Sequence, residues 1–229
     1  MSTGKSKYNR AVLNNILRNG LPISLQDGLI QIAFIVITIF ANKRGVVDSA
    51  AVGIAEKLIC FYFLVPSAFL SAISAITAQN TGAGKPMRAI KTLKTGLIIC
   101  VSYATLICIL NLIFPEFFIG LFTDQTDVIT AGASYLRPYA SDTIFASIHF
   151  CLSGYFCGVG RSELSFVHNI ISVVFVRIPG SLLGSIYFPT TLLPMGMAAP
   201  LGSLLSVFIC YIFFKKIKKR ELSKTGIDI

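Results

Sequence analysis

Tryptophan is absent from this chain, and charge is scarce: Asp, Glu, Lys and Arg make up 13% of its 229 residues. A soluble domain carries about 25% charged residues. A chain so poor in charge, with 54% hydrophobic residues and a mean hydropathy of +0.75, lacks the polar surface that a water-facing domain of this length needs. Acid is scarcer still, with ten Asp and Glu against twenty Lys and Arg. Histidine occurs twice, and none of the six cysteines forms a C-x-x-C pair, so no metal-cluster pattern is present. The cysteines lie in or beside apolar runs and read as packed, reduced thiols. Residues 1–19 are polar and basic, without the apolar core or cleavage site of a secretory signal. No low-complexity segment, soluble domain or convincing internal repeat is visible.

What the chain does have is long apolar runs. About 20 mostly apolar residues span a bilayer as a helix. Six runs qualify, at about 20–41, 52–77, 96–114, 136–158, 164–188 and 194–214. The fold class expected is therefore all-α integral membrane. A basic N-terminal segment at 1–19 precedes a six-helix transmembrane region at 20–214, and a basic tail follows at 215–229. Six passes put both ends on one side, and the basic residues choose which. With the N-terminus in the cytoplasm, fifteen Lys and Arg fall in inside segments and three outside (Lys43, Arg44 and Arg137). A multi-pass protein of the cell membrane with both termini cytoplasmic follows. The same placement, between runs and at the chain ends, fits contact with lipid headgroups and not nucleic acid.

Pro22 falls in the expected first turn of the first helix, while Pro66, Pro179 and Pro200 lie inside apolar runs, where kinks are expected. Residues 115–134 are too polar to span. Phe117, Phe118, Leu121 and Phe122 give them an apolar face, and a short interfacial helix is expected there.

Ionisable groups within spans are costly and mark function. Asp142 lies about one turn inside the fourth span, and His149, seven residues on, shares its helical face. Arg137 is the expected alternative partner for Asp142. Asp27 and Gln31 form a polar stripe on the first span that must face protein or a cavity. Arg177 sits mid-way along the fifth span, with Glu163 or Asp142 as expected partners. His168 reads as structural, and Glu56 and Lys57 as interfacial. Between the second and third spans, Gln79, Gly82, Gly84, Lys85 and Arg88 form a loop motif. Its G-x-G lacks the strand–loop–helix context of a phosphate loop, so a tight turn is expected and nucleotide binding is not.

That loop, AQNTGAGKPMRA at 78–89, resembles the loop closing the second helix of a lobe in the multidrug and toxic compound extrusion (MATE) family. Other segments agree in order: GLPISLQ at 20–26, AAVGIAEKL at 50–58, LFTDQTDV at 121–128, YLRP at 135–138, GVGRSELS at 158–165 and VRIPGSLL at 176–183. Together they cover about residues 15–215 and resemble the C-terminal half of the family alone. The resemblance implies one six-helix lobe of a two-lobed secondary transporter. Such a protein is not an enzyme and needs no cofactor. It exports small organic, often cationic, compounds against H⁺ or Na⁺. It also implies a missing N-terminal lobe or a second half-transporter as partner. In the family, one subgroup binds the coupling cation at an acid near the position of Asp142. Another uses a Glu near Ile30, where this sequence has none; Asp27 lies one turn away. A lipid-linked oligosaccharide flippase and a non-transporting lobe or assembly subunit are the alternative expectations.

Overall fold

The computed structural model describes residues 10–223, all helical or in short turns. Lys5, Lys7 and Lys224, counted above among the basic residues, lie outside the described residues. Helix α1 runs Arg10–Asn42, α2 Val46–Gly82 and α3 Pro86–Ile113. A short α4 (Pro115–Gly120) leads to α5 (Thr126–Ala140) and α6 (Asp142–Gly158). Then α7 (Ser162–Ser172) continues through a π-helical turn at Val173–Arg177 into α8 (Ile178–Tyr187), and α9 closes the described chain at Leu193–Ser223.

Among the described residues, five helical stretches are long and apolar enough to cross a membrane, not the six expected. They are residues 20–42, 46–82, 86–113, 162–187 and 193–220. The fourth expected span is divided between α5 and α6, and α6 alone has 17 residues. The cause is local. Pro138 removes one backbone donor from α5. Ser141 and Thr143 then turn their hydroxyls onto the carbonyls of Pro138 and Ala140, at 2.8 and 2.7 Å, in competition with the helix ladder.

Other boundaries differ too. Helix α1 starts at Arg10, so Pro22 lies inside it and not in its first turn. Helix α9 extends through the first nine residues of the expected tail. The π turn ends two residues before Pro179, whose ring and missing N–H disturb the regular ladder there. The polar stretch after α3 is two helices, α4 and the start of α5. Phe117, Leu121 and Phe122 are exposed as expected, but Phe118 turns inward and meets the Tyr62 ring edge-on.

The helices pack as a bundle in which non-consecutive helices meet, α2 with α6 and α1 with α7. Its tightest joint is α2 against α6. A Cβ at Gly154 would lie 2.5 Å from the Leu70 carbonyl oxygen, and one at Gly158 would lie 2.7 Å from that of Ser74. The G-x-x-x-G spacing thus lets two backbones touch, as small residues do between membrane helices. At one end of the bundle, Arg44 gathers the loops. Its guanidinium pairs with Asp48 at 2.6 Å and donates to the carbonyls of Ser185, Phe188, Pro189 and Thr191. At the opposite end the 79–88 motif forms the tight turn expected of it. The amides of Ala83 and Lys85 bond back to the carbonyls of Gln79 and Asn80, and Gly84 takes φ +68°, which glycine alone adopts cheaply.

Most of the apolar surface has no protein against it. Between 18% and 39% of each apolar window is buried within the chain. Ile35, Phe61, Ile98 and Phe175 are all at least 60% exposed. Water would penalise that surface by about 25 cal/mol per Å², whereas lipid tails do not. The fold is a multi-spanning membrane protein.

Candidate functional site

A cavity of about 330 Å³ opens between α1, α2, α6, the α7–α8 rod and α9. Asp27, Gln31, Asp142, His149 and Arg177 all line it. The fold thus brings together these five residues singled out from the sequence, while His168 and Glu56 are not in the lining. The loop motif at 79–88 is not among its walls.

Asp142 opens α6 and is fully buried. The break at Ser141 sets its carboxylate in a first helical turn, where free N–H groups favour negative charge. Neither carboxylate oxygen has a well-aligned hydrogen-bond partner, although the Ser203 hydroxyl of α9 stands beside it. Arg137, the partner expected from sequence, instead holds Glu116 at 2.7 Å on the surface. His149 lies two turns further along α6. Its ring packs on Phe150 and on His168, with centroids 5.1 and 5.5 Å away, and its Nδ1 is buried without a partner. His168 in turn shares a 2.9 Å hydrogen bond with Ser153. The two imidazoles therefore run from the cavity wall into the α6–α7 joint, and His168 has a structural tie as expected.

Arg177 ends the π turn, and it pairs with neither Glu163 nor Asp142. Glu163 is taken by Arg161 at 2.7 Å. The Arg177 guanidinium lies over two rings instead, with Cζ 5.2 Å from the centre of Phe34 and 5.5 Å from that of Tyr139. Both faces are electron-rich, and such contacts strengthen when desolvated. Glu56 lies within electrostatic reach of it. Glu56 faces protein: it accepts a 3.1 Å hydrogen bond from Thr38, and its other oxygen is buried. Lys57 is exposed.

Asp27 and Gln31 stand at the open side of the cavity and remain exposed. Gln26, beside them, is buried and accepts a 2.7 Å hydrogen bond from Ser165, which fixes α1 to α7. The sequence reading missed Asn169 and Ser172 of α7 and Ser203 and Ser206 of α9, all in the cavity wall. Each pair is three apart on an apolar helix, and that spacing was the available signal. The wall thus carries two acids, one guanidinium, an imidazole and several neutral polar groups between aromatic rings. It can hold a cation or a small organic molecule. Among the described residues no cluster of His, Cys, Asp or Glu could bind a metal ion.

A bundle of apolar helices around a polar cavity is an arrangement that membrane transporters share. The MatE family pattern matches residues 22–183, and the chain belongs to that family, whose members are transporters and not enzymes. The fold agrees with solved structures. A MATE transporter in its bent conformation superposes with a TM-score of 0.88 at 16% identity, over 99% of this chain and 50% of that one. A multidrug resistance MATE family transporter in an outward-facing conformation gives 0.88 at 16%, over 97% and 50%. A MOP superfamily transporter from Pyrococcus furiosus, noted for a binding pocket of reverse polarity, gives 0.86 at 17%, over 94% and 48%. The chain spans about half the length of the proteins it matches.

Proposed function

We propose that this chain is the C-terminal lobe of a MATE-type antiporter that exports small organic cations against H⁺ or Na⁺. In this reading α5 and α6 together make the fourth of six passes, both termini are cytoplasmic, and a second lobe completes the transport path. Asp142 carries the reading. A carboxylate fully buried and poorly bonded by protein atoms, yet in a polar cavity, is a place for an exchangeable cation. Loading that site with a proton or Na⁺ changes the cost of turning the lobe toward either side, which is the requirement for alternating access. Asp27 and Gln31 meet the cargo at the cavity mouth, His149 extends the polar wall inward, and Arg177 with Glu56 anchors the π turn.

A second reading, a flippase for a lipid carrying pyrophosphate, would need a cavity rich in Arg and Lys. One guanidinium, in a lining that also holds Asp27 and Asp142, makes a poor cradle for such a polyanion.

The test is efflux of a fluorescent organic cation from vesicles under imposed pH or Na⁺ gradients, with the chain reconstituted alone and together with a second lobe. One gradient should drive flux in the two-lobe assembly, and Asp142→Asn should reduce it at least tenfold. No gradient-driven flux in that assembly overturns the transport reading. Flux unchanged by Asp142→Asn overturns the assignment of the site.

A further inference from the structure

The side of α6 turned away from the polar cavity borders a second opening. It is a groove of about 1,000 Å³ between α3, α6 and α9, where α3 and α9 barely touch. Its walls are hydrocarbon, including Leu97, Leu152, Leu204 and Phe208. Leu204 and Phe208 are 49% and 63% exposed, so no described residue fills the space. The polar groups of the lining are confined to one end, where α3 begins and α9 is finishing. Lys94 and Tyr211 lie there, and the Lys215 ammonium sits 4.8 Å from the centre of the Tyr211 ring.

We propose that this groove is a binding site for an anionic phospholipid. Its acyl chain lies along Leu152, Leu204 and Phe208, and Lys94 and Lys215 hold its phosphate. The shape of the polarity selects this occupant. A polar solute finds no hydrogen-bonding group along the apolar length. An amphiphile with one anionic head matches hydrocarbon that ends in two ammonium groups. Those ammoniums belong to the end richest in Lys and Arg, and basic residues there attract anionic headgroups. A second copy of this chain packed side by side would set its own basic end against this one, with like charges opposed.

The chain has no tryptophan, so one introduced indole reports on the groove alone. Phe208→Trp, with Leu204→Trp as a second reporter, is reconstituted in phosphatidylcholine vesicles containing phosphatidylglycerol with brominated acyl chains, or brominated phosphatidylcholine. Brominated phosphatidylglycerol should reach half-maximal quenching at about one fifth of the mole fraction that phosphatidylcholine needs. The double substitution Lys94→Ala with Lys215→Ala should erase that difference while helicity is unchanged. An indole at Ile109, on the exposed far half of α3, should show no preference. Equal quenching by the two lipids in both reporters overturns the proposal, as does a preference that survives the double substitution. Indoles shielded from every brominated lipid, together with chemical cross-linking of two chains through α9, would assign the groove to a second copy and overturn it too.

Discussion

Helix α6 presents three different surfaces, and the contrast between two of them explains how one apolar segment serves both folding and transport. Asp142, Ala146, His149 and Phe150 face the polar cavity. Ile148 and Leu152, about a third of a turn away, face the hydrocarbon groove. Gly154 and Gly158 occupy a third strip, pressed on α2. The cavity face holds groups that protein atoms do not satisfy. The groove face holds groups that lipid satisfies completely. Stability therefore resides in the glycine strip, and the cavity face is where stability is given up.

Gly154→Leu attacks the strip and has the largest expected effect. The new side chain meets backbone on α2 that cannot move aside, and overpacking of this kind costs about 3 kcal/mol. Thermal unfolding in detergent should show it as a loss of the folded protein under conditions where the parent is intact. A parent-like melting curve would mean that α2 and α6 are not held by this contact. Asp142→Leu sharpens the comparison from the other side. Removing a poorly bonded buried carboxylate should raise stability by about 1–2 kcal/mol while gradient-driven efflux disappears. If stability falls instead, the carboxylate is a structural group and the cavity face is not where stability is given up. Leu204→Ala on the groove face should matter least. Lipid replaces the lost side chain, so the expected change is below about 1 kcal/mol, read from the same melting curves in mixed lipid–detergent micelles. A larger loss would show that the groove is closed by protein.

Much of this was legible in the chain. Scarce charge and long apolar runs were enough for a membrane bundle, and the seven-residue step from Asp142 to His149 was enough to set both on one wall. The four-residue step from Asp27 to Gln31 worked in the same way. The turn at Gly82–Gly84 followed from its glycines. Where the reading failed, the cause was a competitor from elsewhere in the fold or a local bond that periodicity does not register. Arg137 and Arg177 each have acids at plausible distances in sequence. Glu116 captures the first, and the rings of Phe34 and Tyr139 receive the second. The fourth span was read as one helix because hydropathy does not register Pro138 or the hydroxyls of Ser141 and Thr143.

By itself the sequence determined the solvent of this protein, the family it resembles and the residues too polar for lipid, because composition and helical period act within a single segment. Only the tertiary structure decided that those residues meet in one cavity, that Glu56 and not Glu163 stands near Arg177, and that α6 turns one face to polar groups and another to hydrocarbon. Those outcomes depend on which helices lie side by side. That is fixed by backbone contacts such as Gly154 on Leu70, a shape property shared between distant segments that no single stretch of sequence contains.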